Sequence, residues 1–216
     1  MPDGLIQTTP PTAEPITLQQ AKDHARVEVT DDDGLITQLI VSAREYAETV
    51  TRRQLMIATW TWTLDRFPGV VGHTWDERHG VHGHHGQHGL DDDVFVVPWP
   101  PLRTIVSIKH IDDAGVLQTV PAADYLVDIS TEYGRVAPVF GLFWPVARDE
   151  LGAVRVQFTA GYDNAATVPA QIKQAILLLV GHWYEMREDT TVGPQARSIP
   201  SGAARLLGQQ RIVAIH

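Results

Sequence analysis

The spacing of apolar residues changes period twice along the chain, and this double change limits the fold more than any other feature. From Thr30 to Arg53, "TDDDGLITQLIVSAREYAETVTRR" carries Leu35, Ile36, Leu39, Ile40, Ala43, Tyr46, Ala47 and Val50 on one helix face. Three aspartates open it and Arg52 with Arg53 close it, each the sign that the helix dipole favours at that end. A shorter helix precedes it in "ITLQQAKDHARVEV", with Thr17 at the N-cap, Gln20 at the capping-box position, and Leu18, Ala21 and Ala25 as its stripe. From Ala58 the period drops to two. "ATWTWTLDRF" alternates threonine with Trp60, Trp62 and Leu64, and "FVVP", "TIVSIKHI", "DYLVDI" and "AVRVQFTAGY" follow as β-branched strands. "DDAG" at 112–115 is a hairpin turn signal. Helical spacing returns at Pro169, with Ile172, Ala175, Ile176, Leu179, Val180 and Trp183 on one stripe. Leu177 and Leu178 widen that stripe, so this helix either packs against two neighbours or keeps only a narrow wet face.

The early and late helices must meet to bury their stripes, which makes the fold α+β. The expected architecture is a helical bundle of two N-terminal helices and one long C-terminal helix, with a small antiparallel β-sheet inserted and an extended C-terminal arm. The divisions fall at 1–15 (extended), 16–57 and 168–189 (helical core), 58–167 (β-rich, with a His/Gly loop at 73–93) and 190–216 (arm). The arm is punctuated by Gly and Pro, carries a short amphipathic helix around Ala203 to Gln210, and has little core of its own. It is therefore expected to dock on something. Four of the six tryptophans, Trp60, Trp62, Trp99 and Trp144, read as sheet core and edge packing, with carbohydrate binding as the alternative.

Composition removes several functions. The 216 residues include no cysteine, so disulfides, thiolate nucleophiles and cysteine zinc sites are all absent. A net charge of −9 argues against a chain whose main affinity is for phosphate backbones. No run approaches a membrane span, and the first residues do not read as a secretory signal, so synthesis in the cytoplasm is expected. There is no Walker-type phosphate loop and no G-x-S-x-G elbow. "TDDDG" at 30–34 lacks the alternating ligand spacing of an EF-hand.

The strongest competing signal is "HGVHGHHGQHG" at 79–89. His79, His82, His84, His85 and His88 have the raw capacity to bind a divalent metal. Glycines at 80, 83, 86 and 89 leave a backbone that is costly to preorganise, and no H-E-x-x-H motif supplies a base. A solvent-exposed loop is the favoured reading, with a metal-binding module or metalloenzyme as the alternative. Asp91 to Asp93 follow directly and would pair with these histidines once protonated, below about pH 6.5.

Taken in order, "ITLQQAKDHARVEVTDDDGLITQLIVSAREYAETVTRRQL", "TWTWTLDRFP", "VPWPPLRTIVSIKHIDDAGVLQTVPAADYLVD" and "AVRVQFTAGYDNAATVPAQIKQAILLLVGHWYEMRE" resemble the head-tail connector (adaptor) family of long-tailed phages and gene transfer agents. The likeness runs from Ile16 to Arg211, and Pro200, Gly202, Leu206, Leu207 and Arg211 fit the family's tail pattern. The His/Gly run is a departure from it and inherits no role.

The resemblance implies a structural, non-enzymatic protein without cofactor. It would form a ring, usually of twelve copies, beneath the portal in the neck of a virion assembled in the host cytoplasm. The ring extends the DNA channel, lets DNA pass without sequence-specific binding, and docks the next neck or tail protein, a stopper or tail terminator. By that analogy the arm grips the portal through Ile199, Pro200, Leu206, Leu207, Arg211 and Ile212, and Ile172, Ile176, Leu179 and Trp183 lie in the ring core. Another neck ring component is the nearest alternative position. Asp31, Asp32, Asp33, Glu45, Glu48 and Glu185 are candidates for the channel wall, against the plainer reading of a solvated helix face.

Overall fold

A computed structural model describes residues 4–69, 93–186 and 200–212. The chain divides into two compact units, Met1–Pro10 with Ala58–Ala160, and Pro11–Ile57 with Gly161–His216.

The second unit is helical. Helix α1 (Leu18–Ala25) starts at Thr17, whose hydroxyl accepts from the Gln20 N–H at 3.1 Å while the Gln20 side chain accepts from the Thr17 N–H at 2.9 Å. Both orphan donors of the capping box are thus satisfied. Helix α2 (Asp33–Thr51) buries Ile36, Ile40, Ala43 and Ala47, the centre of the stripe read from the sequence, and leaves Leu35 at its margin. Its aspartates serve as tethers rather than caps: Asp33 pairs with Lys22 at 2.6 Å and Asp32 accepts from the Tyr184 hydroxyl at 2.6 Å. Helix α3 (Ala170–Glu185) contacts α1, α2 and α4 (Ser201–Gln209), which is why its apolar surface is broader than one stripe. The core common to these helices includes Ile16, Leu55, Val168, Ile172, Ile176, Leu179, Ala203 and Leu207.

The first unit holds the strands. A five-stranded antiparallel sheet has the order β1 (Leu5–Thr9), β2 (Ala58–Leu64), β8 (Val154–Ala160), β4 (Leu102–Ile111), β5 (Leu117–Thr119). A three-stranded antiparallel sheet has the order β3 (Phe95–Val96), β7 (Arg135–Pro138), β6 (Tyr125–Asp128). The "DDAG" turn closes the β4–β5 hairpin, with the Gly115 N–H donating to the Asp112 carbonyl at 2.8 Å and Gly115 at φ +80°, a conformation that glycine adopts without strain. One face of the larger sheet carries Trp60, Ile108, Val154, Val156 and Phe158 into the core, where Trp60 stacks on Trp99 at 5.5 Å and Phe67 on Trp144 at 4.9 Å.

The structure corrects the expectation of a small sheet. Among the described residues, eight strands in two sheets make up a substantial part of the fold. The difference comes from segments with no usable period. β1 is an edge strand in which only Leu5 is buried, and β7 is four residues ending in proline. Their pairing to β2, β3 and β6 is non-local and leaves no mark on local composition. Within the arm, the short helix expected around Ala203 to Gln210 is α4 (Ser201–Gln209), which packs in the helical core.

Candidate functional site

The helical unit is held together at three places. The first is a buried charge cluster. Arg44, 5% exposed, gives its Nε to Glu14 and its Nη1 to Glu48, each at 2.8 Å. Glu48, 6% exposed, also accepts from Gln54 Nε2 at 2.7 Å and from the Leu55 N–H at 3.0 Å. One carboxylate therefore ties α2 to the turn that leaves it, and Arg44 ties α2 to the segment entering the unit. Glu48 is consequently no channel-wall carboxylate: it is internal.

Burial pushes the Glu48 carboxyl up to about 7, against the opposing charge of Arg44 and the Leu55 hydrogen bond. Glu14 is raised by burial as well, with Arg44 again opposing. Burial works downward on Arg44, but the charges of Glu48 and Glu14 outweigh it and raise its affinity for its proton.

A carboxyl whose folded value lies above its unfolded one binds more protons when folded. Its contribution to stability is complete below about pH 4.5 and is lost as pH rises through about 7. The expected result is an unfolding midpoint whose slope with pH, between 5 and 8, is less negative in Glu48→Gln than in the parent chain. Denaturant titration at each pH measures it; identical slopes would refute the assignment.

The second fastening is the C-terminal arm. Ala203 and Leu207 of α4 are fully buried against the helical core, and Leu206 is partly buried there. The Ile212 N–H donates to the Thr51 carbonyl at 3.0 Å, Arg53 Nε donates to the Gln210 carbonyl at 3.0 Å, and Gln210 Nε2 donates to Gln171 Oε1 at 2.6 Å. The candidate arm residues therefore divide. Leu207 and Ile212 are inside, Pro200 and Leu206 are half-buried, Arg211 is exposed, and Ile199 lies outside the described residues. Leu207→Ala is expected to destabilise the chain by about 2–5 kcal/mol through the cavity it leaves. Denaturant unfolding checks this, and a loss under about 1 kcal/mol would mean that the arm is not docked in this way.

The third is α3 itself. Ile172, Ile176 and Leu179 are fully buried, and Trp183 meets Tyr46 edge to face at 6.3 Å at the margin of the same core. Three of the four candidate ring-core residues are thus buried inside this unit, and Trp183 is partly buried at its margin.

The sheet unit presents what sequence reasoning missed. Along twelve residues, Phe140 is 100% exposed, Phe143 77%, Val146 62% and Leu151 89%. Isolated exposed apolar side chains are ordinary, whereas this segment gathers several of them. The signal was present in "VFGLFWPVARDEL", an apolar stretch that matches neither the helical nor the strand period. Beside it, His110, Asp124, Phe143 and Trp144 help line a cleft of about 180 Å³. His110 Nδ1 is buried with no hydrogen-bond partner among the described residues, and burial pulls its pKa down. The charge of Asp112 works against that shift.

Among the described residues no group of three or more His, Asp or Glu side chains is arranged to hold a metal. His79, His82, His84, His85 and His88, together with Asp91 and Asp92, lie outside the described residues. No helix among the described residues is long and apolar enough to cross a membrane.

The comparisons with known proteins bear on the helical part first. Residues 15–74 match the family of phage gp6-like head-tail connector proteins. The family is one of structural connectors and not of enzymes. No curated protein matches the chain. Among solved structures, the fold is similar to a chain from the virion of a native gene transfer agent (GTA) particle, with a TM-score of 0.72 and 21% identity. It is also similar to a chain in the neck of an empty GTA particle computed with C6 symmetry (TM-score 0.70, 21% identity) and to one in the neck of a native GTA particle computed with C12 symmetry (0.66, 22%). Each likeness covers 98% of this chain and 97% of the other, so the fold of both units is shared and not only that of the matched segment.

Proposed function

We propose that the chain is a head-tail connector, one subunit of a ring in the neck of a phage-like or gene transfer agent particle. One observation carries the proposal: a connector signature in the first helices sits within a fold that follows neck chains of GTA particles over 98% of its length. The connector joins the portal to the next neck or tail protein, a stopper or tail terminator, and its ring of twelve copies continues the DNA channel.

The exposed run from Phe140 to Leu151 supports the ring reading. Cyclic assemblies are built from heterologous contacts, in which one surface of a subunit meets a different surface of the next. Phe140 and Phe143 supply aromatic anchors of the kind that dominate such contacts. The C-terminal arm is the proposed portal contact. Since Leu207 and Ile212 are held by the chain's own core, they fix the arm, and Pro200, Leu206, Arg211 and Ile199 are left to meet the portal.

Deleting the gene from the genome that makes the particle tests the function. The expected products are heads and tails that do not join. Intact tailed particles without this chain would overturn the reading. Replacing His79, His82, His84, His85 and His88 with serine is expected to leave joining unaffected, whereas a metal-dependent role would be lost with them.

A further inference from the structure

The outer face of the five-stranded sheet carries two cations set directly opposite each other. In the β4–β8 register Lys109 faces Arg155; in β2 the partner of Arg155 is Thr63, and in β5 the partner of Lys109 is Thr119. Four adjacent strands thus present the row Thr63, Arg155, Lys109, Thr119. Like charges directly opposite in a sheet destabilise it, and a chain with net charge −9 has carboxylates to spare. Yet neither Arg155 nor Lys109 has an ion pair or side-chain hydrogen bond among the described residues.

The neighbouring rows of the same face are Thr61, Gln157 and Ser107, then Thr59, Thr159 and Thr104. None of these positions holds an acid. The nearest carboxylate along β2, Asp65, accepts from the Gly152 N–H at 2.8 Å. The rows on one side of the cationic pair are thus hydroxyls and an amide, groups that contact phosphate oxygens, with Ile6 of β1 beside Thr61 and the Ile111–Leu117 pair bordering the face.

We propose that this face meets the sugar-phosphate backbone of double-stranded DNA, with Arg155 and Lys109 as its two phosphate contacts. The proposal rests on the connector reading, which brings DNA past the subunit, and adds the face that DNA meets. A carboxylate offered by a second copy of the chain would satisfy the two cations but would leave the acid-free rows beside them without a purpose. A phosphate backbone uses the cations together with the hydroxyl and amide rows beside them. Two cations per subunit give a weak contact, and weak contact lets DNA slide.

The test is a titration of the full chain with a mixed-sequence DNA duplex of about 20 base pairs at low salt, followed by amide NMR. Shifts are expected at Thr61, Thr63, Ser107, Lys109, Thr119, Arg155 and Gln157, with affinity falling roughly three- to fourfold for each doubling of salt, as for about two contacts. In Lys109→Gln with Arg155→Gln these shifts vanish while the unfolding midpoint stays the same or rises.

Shifts concentrated instead at Arg52, Arg53 or Arg205, or duplex binding unchanged in the double variant, would overturn the proposal. So would a double variant that binds DNA like the parent but no longer self-associates, which would assign the pair to a second copy. Failure of the connector reading appears separately, as loss of portal binding with duplex binding intact.

Discussion

Replacing Arg44 with methionine is expected to cost the fold about 3–5 kcal/mol at pH 8, the loss that follows removal of one partner from a buried ion pair. Methionine keeps much of the volume but leaves Glu48 with Gln54 and Leu55 as its remaining donors and Glu14 with no cation. The cost should shrink as pH is lowered, because a Glu48 whose pKa already stands at about 7 in the parent can then be buried neutral. Urea unfolding of parent and variant at pH 8 and pH 5.5 measures both parts. A penalty below about 1 kcal/mol at pH 8 would mean that the cluster behaves as an exposed pair. A second change, Glu48→Gln on the Arg44→Met background, should recover part of the loss, which separates electrostatics from packing.

The second large effect concerns assembly and should leave folding untouched. Phe140→Ser with Phe143→Ser removes two aromatic side chains that are exposed in the single chain, so the unfolding free energy should move by no more than about 0.5 kcal/mol. If these are the anchors of the subunit contact, each contributes about 2 kcal/mol or more, and together they weaken ring formation by roughly a thousandfold. Sedimentation of the chain on portal-bearing particles reads this directly. A double variant that still forms complete rings would remove the run from the subunit contact.

Much of the helical unit was legible because its cues are local. The capping box at Thr17 and Gln20, the buried stripe of Ile36, Ile40, Ala43 and Ala47, and the stripe of Ile172, Ile176 and Leu179 all lie within a few turns of chain. Arg44 and Glu48 show where such cues fail. Spaced four residues apart on α2, they look like a solvated pair. They are buried because Glu14 and the turn through Gln54 and Leu55 close over them, and those contacts span up to thirty residues.

The strands divide on the same principle. β2 and β8 alternate and could be read, whereas β1 and β7 exist by virtue of partners elsewhere in the chain. The surfaces were least legible. Exposure of Phe140 and Phe143 is a property of the folded unit, and the opposition of Lys109 and Arg155 is a property of register, which two bulges in the β4–β8 pairing help to set.

The most direct measurement is the mass of the complex formed when the purified full-length chain is mixed with the portal ring of the same particle, repeated with Arg211→Glu, a change at an exposed position of the arm. The connector reading predicts a stoichiometric complex for the parent chain and a weakened one for the variant. Absence of a complex with either form, under conditions where the full chain is folded, would contradict it.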